Sequence, residues 1–271
     1  VRRRLTAQIS GLVLQPAQGR SIIVFGADET LALARTAVQL DDLHEKLSVI
    51  LGLVDSENIF SGVAAMVVLR NSDELRIVAA ELFNQNISLN SLGMVCIDSA
   101  KNVPIGQGGG ALGTTEDIPV ILTVEMEPSV AAIEHARLYT SAVLYRHHSS
   151  VSLPPWLEVG FIEYVANSVF PEAGINTQRR PGGLGAIRDS ARLDWLLDID
   201  ADSQRMGAYG DARDASFILV TRLINENPGA FRSLVLKLKK GASLQDSWKS
   251  TYGSTLQEFL VDAQEWFRFN D

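Results

Sequence analysis

The chain is poor in several things, and each shortage removes a class of explanation. It has one cysteine, Cys96. That excludes an internal disulfide and any thiolate-based metal cluster, and it leaves the redox compartment undetermined. Cys96 sits in the apolar run Gly93–Asp98, where a small buried hydrophobe is the expected role rather than a nucleophile. Positive charge is also short: the net charge is −8, which argues against nucleic acid as a partner, because binding phosphates requires a basic face. Arg2, Arg3 and Arg4 form a run too short to change this. No apolar stretch is long enough to cross a bilayer; the longest are strand-like pieces such as Pro119–Val124. No signal peptide is visible, and because the sequence begins at Val1 an upstream segment is expected to have been removed.

What remains is ordinary for a water-exposed globular protein of 271 residues, with 46% hydrophobic and 21% charged residues. The first half alternates strands and helices. Strands are expected at 21–26, a β-branched run, and at 64–69, 92–97 and 119–126. Asp28 or Thr30 would cap a long helix to Leu51, and Ser72 would cap a shorter one presenting Leu75, Val78, Ala79 and Leu82. After Pro128 the pattern turns helical, with helices expected at 129–146, 155–168, 188–197, 212–225, 228–239, 244–250 and 255–267. Residues 170–185, full of Pro, Gly and Arg, read as a long surface loop. The implied fold class is α+β: a small mixed β-sheet with helices in residues 1–127 and a helical half in residues 128–271.

Three short motifs invite a functional reading and do not sustain it. Gly108, Gly110 and Gly113 spell G-x-G-x-x-G, but a strand follows where a dinucleotide site needs a helix N-terminus. His44-Glu45 is half of an H-E-x-x-H signature, with Ser48 in place of the second imidazole; His44 is expected to pack at the edge of its helix face. His147 and His148 are adjacent, so on a helix they would point about 100° apart. Capping of a helix C-terminus suits them better than a shared metal.

The central stretch, Arg137 to Ala166, is different because its parts fit one another. Two helices flank a polar turn, and Pro154-Pro155 opens the second, where a missing N–H costs nothing. Trp156-Leu-Glu-Val-Gly-Phe-Ile-Glu-Tyr164 resembles the W-L-x-E-G-x-A-E-Y segment of gluzincin metallopeptidases of the peptidase MA-like, bacterial type. Arg137-Leu-Tyr-Thr-Ser141 stands where that family carries H-E-x-x-H. Downstream, Gly241–Trp248 and Tyr252–Phe259 resemble the family's terminal helices, so the likeness extends over most of the chain. Judged alone, Trp156, Phe161 and Tyr164 are what any buried helix carries.

The resemblance implies a zincin-like architecture and a site that has lost its chemistry. The first zinc histidine falls on Arg137, the general-base glutamate on Leu138, the second histidine on Ser141 and the third ligand on Val159. A guanidinium has no lone pair to donate, and leucine and valine offer neither ligand nor base. Glu163, one turn after Val159, keeps the carboxylate that in the family orients the first histidine. It is expected to meet an inward-facing Arg137, since a buried charge needs a partner. Tyr139, Trp156 and Tyr164 are expected to line the old cleft. The reading is therefore a pseudopeptidase with no zinc and no other cofactor, an extracytoplasmic home, and a binding or scaffolding role toward a peptide or protein. The alternative is a hydrolase with a nonstandard metal or acid–base site around His135, Glu158 and Glu163, with Glu134 nearby. A structural module of a larger assembly is the third reading.

Overall fold

The computed structural model describes residues 14–27, 30–53, 64–83, 93–98, 118–149, 151–189, 193, 197 and 210–269. These divide into two compact units. The first holds β1 (Gln15–Gln18), β2 (Ile22–Gly26), α1 (Thr30–Leu51, except its last turn), β3 (Ala64–Leu69), α2 (Ser72–Phe83), β4 (Gly93–Asp98), β5 (Ile118–Val124) and α3 (Pro128–Arg146). The second begins at His147, takes in the short segment Val49–Leu53, and is helical: α4 (Pro155–Val169), α5 (Ile175–Arg188), α6 (Gly210–Glu226), α7 (Pro228–Lys239), α8 (Leu244–Tyr252) and α9 (Leu256–Phe269). The division falls after Arg146 rather than at residue 127, because α3 packs on β4 and β5. The protein is α+β.

The sheet is mixed, in the order β1-β2-β3-β5-β4, with β2, β3 and β5 parallel and the two outer strands antiparallel to their neighbours. A strand covered on both faces should be apolar at every position, and β3 (AAMVVL) is buried throughout. One face carries Phe25, Ala65, Val67, Leu69, Val120, Leu122 and Val124 against Leu75, Val78 and Ala79 of α2. Near the outer end of the sheet, α3 sets Leu138 against Gly93 and Thr123; a Cβ on Gly93 would stand 2.5 Å from the leucine Cδ1. Asp41 of α1 accepts the backbone N–H groups of Arg20 (2.7 Å) and Ser21 (2.8 Å), tying the turn before β2 to that helix. The short β1 has no apolar alternation and was not anticipated; pairing with β2 makes it a strand. Asn71, not Ser72, caps α2 by accepting the Glu74 N–H at 3.0 Å.

In the second unit the largest departure from expectation is residues 170–185. They form a short 3₁₀ turn, Pro171–Ala173, and then α5, which runs through Pro181. Loop signals were strong here, but Gly182 and Gly183 serve close approach rather than flexibility. A Cβ on Gly183 would lie 2.5 Å from the Asp214 carbonyl oxygen of α6. Burial of Ile175, Leu184, Ala186 and Ile187 outweighs the intrinsic cost of Pro and Gly in a helix. Of the helix expected at 188–197, Arg188 closes α5 while Leu193 and Leu197 are helical and buried. α4 meets α6 through Gly160, whose Cβ would stand 2.3 Å from the Ser216 carbonyl oxygen. Local caps set the remaining helix starts. Asn227 accepts the Ala230 N–H, Ser243 that of Asp246, and Thr255 with Glu258 forms a reciprocal capping box. Arg232 donates to the Ile50 carbonyl at 2.8 Å, which holds Val49–Leu53 in this unit. The G-x-G-x-x-G glycines lie outside the described residues.

The glycine contacts yield a direct test. Gly160→Ala and Gly183→Ala would each drive a methyl into backbone that cannot move cheaply, so each should cost about 1–3 kcal/mol, by analogy with overpacked cores. Gly185→Ala, with nothing within 4 Å of its Cβ, should be neutral or stabilising. Denaturant unfolding of the three variants distinguishes these; equal stability of Gly160→Ala and wild type would contradict the packing.

Candidate functional site

α3 and α4 carry the positions singled out by the resemblance, and each helix is explained by its own unit. On α3, Arg137 is half-buried and its guanidinium donates to Glu134 one turn earlier. Leu138 is part of the sheet packing, and Ser141 is half-buried. Tyr139 does not line an open cleft: it is 0% exposed, with its hydroxyl 2.7 Å from His44 Nδ1. Burial disfavours the charged form of both groups, lowering the His44 pKa and raising that of Tyr139. Both groups are therefore neutral, and one hydrogen bond joins the hydroxyl and the imidazole. His44 is a buried, bonded core histidine of α1, as its helix face predicts.

On α4, Val159 is 2% exposed and packs as core. Trp156, expected at a cleft, is equally buried, with its ring centroid 6.2 Å from that of Trp248. Tyr164 is half-exposed. Glu163 is buried and accepts from Arg179 Nε at 3.0 Å, while the same guanidinium donates from Nη1 to Asp214 at 2.9 Å. One arginine thus joins carboxylates of α4 and α6 from its place on α5. The side chains of Glu163, Arg179 and Asp214 are 4%, 11% and 16% exposed, so this is an interior ion network. Desolvation raises the Asp214 pKa, opposed by the hydrogen bond and charge of Arg179. Sequence reasoning selected Glu163 but missed Arg179 and Asp214. Arg179 lay in the stretch read as a loop, and nothing about Asp214 singled it out from its neighbours on α6.

The residues of the alternative reading have separate surroundings. His135 is buried, and its Nε2 finds no hydrogen-bond partner among the described residues. Desolvation pushes its pKa down to about 4, so it is neutral at physiological pH. Glu158, half-buried, exerts its charge on Lys239. Among the described residues no three of His, Cys, Asp and Glu are grouped so as to hold a metal ion. His147 is buried at the end of α3, while His148 turns outward at φ 60°. Their rings lie 4.3 Å apart. Cys96 falls on β4 in register with Val120, its side chain outside the described residues.

No family model matches the chain, and no curated protein matches its sequence. No helix among the described residues is long and apolar enough to cross a membrane.

Two outcomes follow from this chemistry. Arg179→Met removes the guanidinium that Glu163 and Asp214 share and should cost about 3–5 kcal/mol, as breaking a buried pair does; Glu163→Gln combined with Arg179→Met should cost less than the single change. Chemical denaturation of both variants measures it, and additive losses would contradict the coupling. Second, a neutral buried His135 opposes acid. Its folded-state pKa lies below the unfolded value of 6.5, so the unfolded chain binds more protons, and stability contributed by the neutral ring is lost as pH falls from 6.5 toward 4. The loss attributable to this residue should approach about 3 kcal/mol, and His135→Gln should flatten unfolding free energy against pH across that window.

Proposed function

We propose that this chain is a degenerate gluzincin-like protein that works by binding or scaffolding rather than by hydrolysis. What supports this most is the occupation of Glu163. The one carboxylate matching the family's pattern is committed to a guanidinium and shares it with Asp214, whereas orienting a metal-bound imidazole would require a histidine partner. Val159, at the place of the third ligand, is interior hydrocarbon, and Leu138, at the place of the general base, is packed on the sheet. Under this reading the zincin-like architecture outlasted its metal, and a peptide or protein is the partner, held by surfaces the scaffold already offered.

The test is elemental analysis of the full chain purified without chelators, with a peptidase assay on casein alongside it. The expected result is zinc far below one ion per chain and no cleavage. Stoichiometric zinc that disappears in His135→Ala would overturn the proposal and favour a metal hydrolase.

A further inference from the structure

Independently of the peptidase resemblance, both histidines of the second unit stand in the turn that leads from α3 toward α4, and that turn is clasped to a single residue of α7. The Ser149 hydroxyl donates to the backbone carbonyl of Lys239, and the Lys239 ammonium donates to the Val151 carbonyl at 2.5 Å. Within the turn, the Ser149 N–H donates to the His147 carbonyl at 2.8 Å and the Val151 N–H to the Ser149 hydroxyl at 3.2 Å. Lys239 is 1% exposed. Burial lowers its pKa to about 8, against the charge of Glu158 on α4, so it is still an ammonium at neutral pH. The Val151 carbonyl replaces part of the water that this charge has lost.

The histidines are set beside this clasp in a way that suits them only while neutral. His147 is 3% exposed, and its ring centroid lies 4.3 Å from that of His148. His148 is exposed and holds φ 60°, the one positive φ outside glycine among the described residues, so the closed turn also stores backbone strain. Lys239 acts on both rings and Lys240 on His148, and the two rings act on each other. Arg146, the residue before them, brings another positive charge from α3. The carboxylate of this group, Glu158, acts on Lys239. A helix C-terminus favours an imidazolium, but here desolvation and the ammonium groups oppose it. Two imidazolium ions in contact beside a buried ammonium would repel one another at short range.

We infer that the clasp is an acid-released latch: protonation of the His147–His148 pair frees residues 147–151 from α7, baring the Lys239 ammonium and the Val151 carbonyl, while the helices stay folded. The direction follows from the closed turn holding both imidazole pKa values below the ordinary 6.5, that of His147 at about 4. The open turn therefore binds more protons, and closure is lost as pH falls from 6.5 toward 4. His147 alone should raise the opening equilibrium about twentyfold between pH 7 and pH 5.

Amide hydrogen exchange on the full chain, followed by NMR and corrected for the intrinsic pH dependence of exchange, tests the latch. Protection of the Ser149 and Val151 amides should fall about twentyfold or more from pH 7 to pH 5, while that of Leu234, Val235 and Leu238 in α7 holds. His147→Gln with His148→Gln should leave Ser149 and Val151 equally protected at both pH values. Should that pair fail to fold, His148→Gln alone serves, since its ring is exposed, and should make the fall smaller. The inference is overturned if Ser149 and Val151 keep their protection at pH 5. It is equally overturned if the α7 amides lose protection in step with them, or if the histidine variant shows the same fall as the wild type.

Discussion

The helical unit depends on one arginine. Arg179 reaches Glu163 of α4 and Asp214 of α6 from α5, so three helices converge on a single guanidinium. A planar fork with fixed donors suits that task, which a lysine ammonium would meet with neither the reach nor the geometry. The arrangement is demanding rather than simply stabilising. Glu163 has been withdrawn from water, and Arg179 offsets the cost of burying its charge. The same geometry requires the helix backbones to come close. Gly160 and Gly183, both set against carbonyl oxygens of α6, permit the approach that brings the charges within bonding distance. Steric and electrostatic requirements therefore fix each other.

That coupling explains where the sequence was readable and where it was not. Helices with an apolar period and a local cap were legible. Pro228–Lys239 begins with Pro at its first turn behind Asn227, and Thr255-x-x-Glu258 announces α9 in the chain itself. Fully apolar β3 was equally plain. Residues 170–185 were not, because every local signal there speaks for a loop, and the reason they are helical lies on α6, thirty residues further on. A glycine that is needed for flexibility and one that is needed for contact are the same letter. The site behaved likewise. Glu163 was marked by its spacing from Val159, while its partner stood in the misread stretch and could not be nominated.

Under the proposed reading, the residues at the places of the family's metal site are explained largely by their own surroundings. A zinc site needs its ligands deprotonated and pointed at a common centre, and its second shell holds them there. In this chain Leu138 and Val159 add apolar surface to two cores. Arg137 has Glu134 within its own helix, and the tyrosine between Leu138 and Thr140 bonds a neutral histidine of α1. Leu138 and Val159 are thus accounted for by the packing of their own units.

Under the proposed reading, Arg137→His and Val159→Glu would not by themselves create a metalloenzyme, because their surroundings do not suit one. An ionised glutamate at 159 would enter a site that is now hydrocarbon and would be driven toward its neutral form, which is a poor ligand. Glu163 would have to release Arg179 before it could orient an imidazole, and the released guanidinium would then need another anion besides Asp214. Under that reading the barrier to a metal site is set less by the absent ligands than by the ion network that holds Glu163. Under the proposed reading, that is how a catalytic scaffold becomes committed to binding.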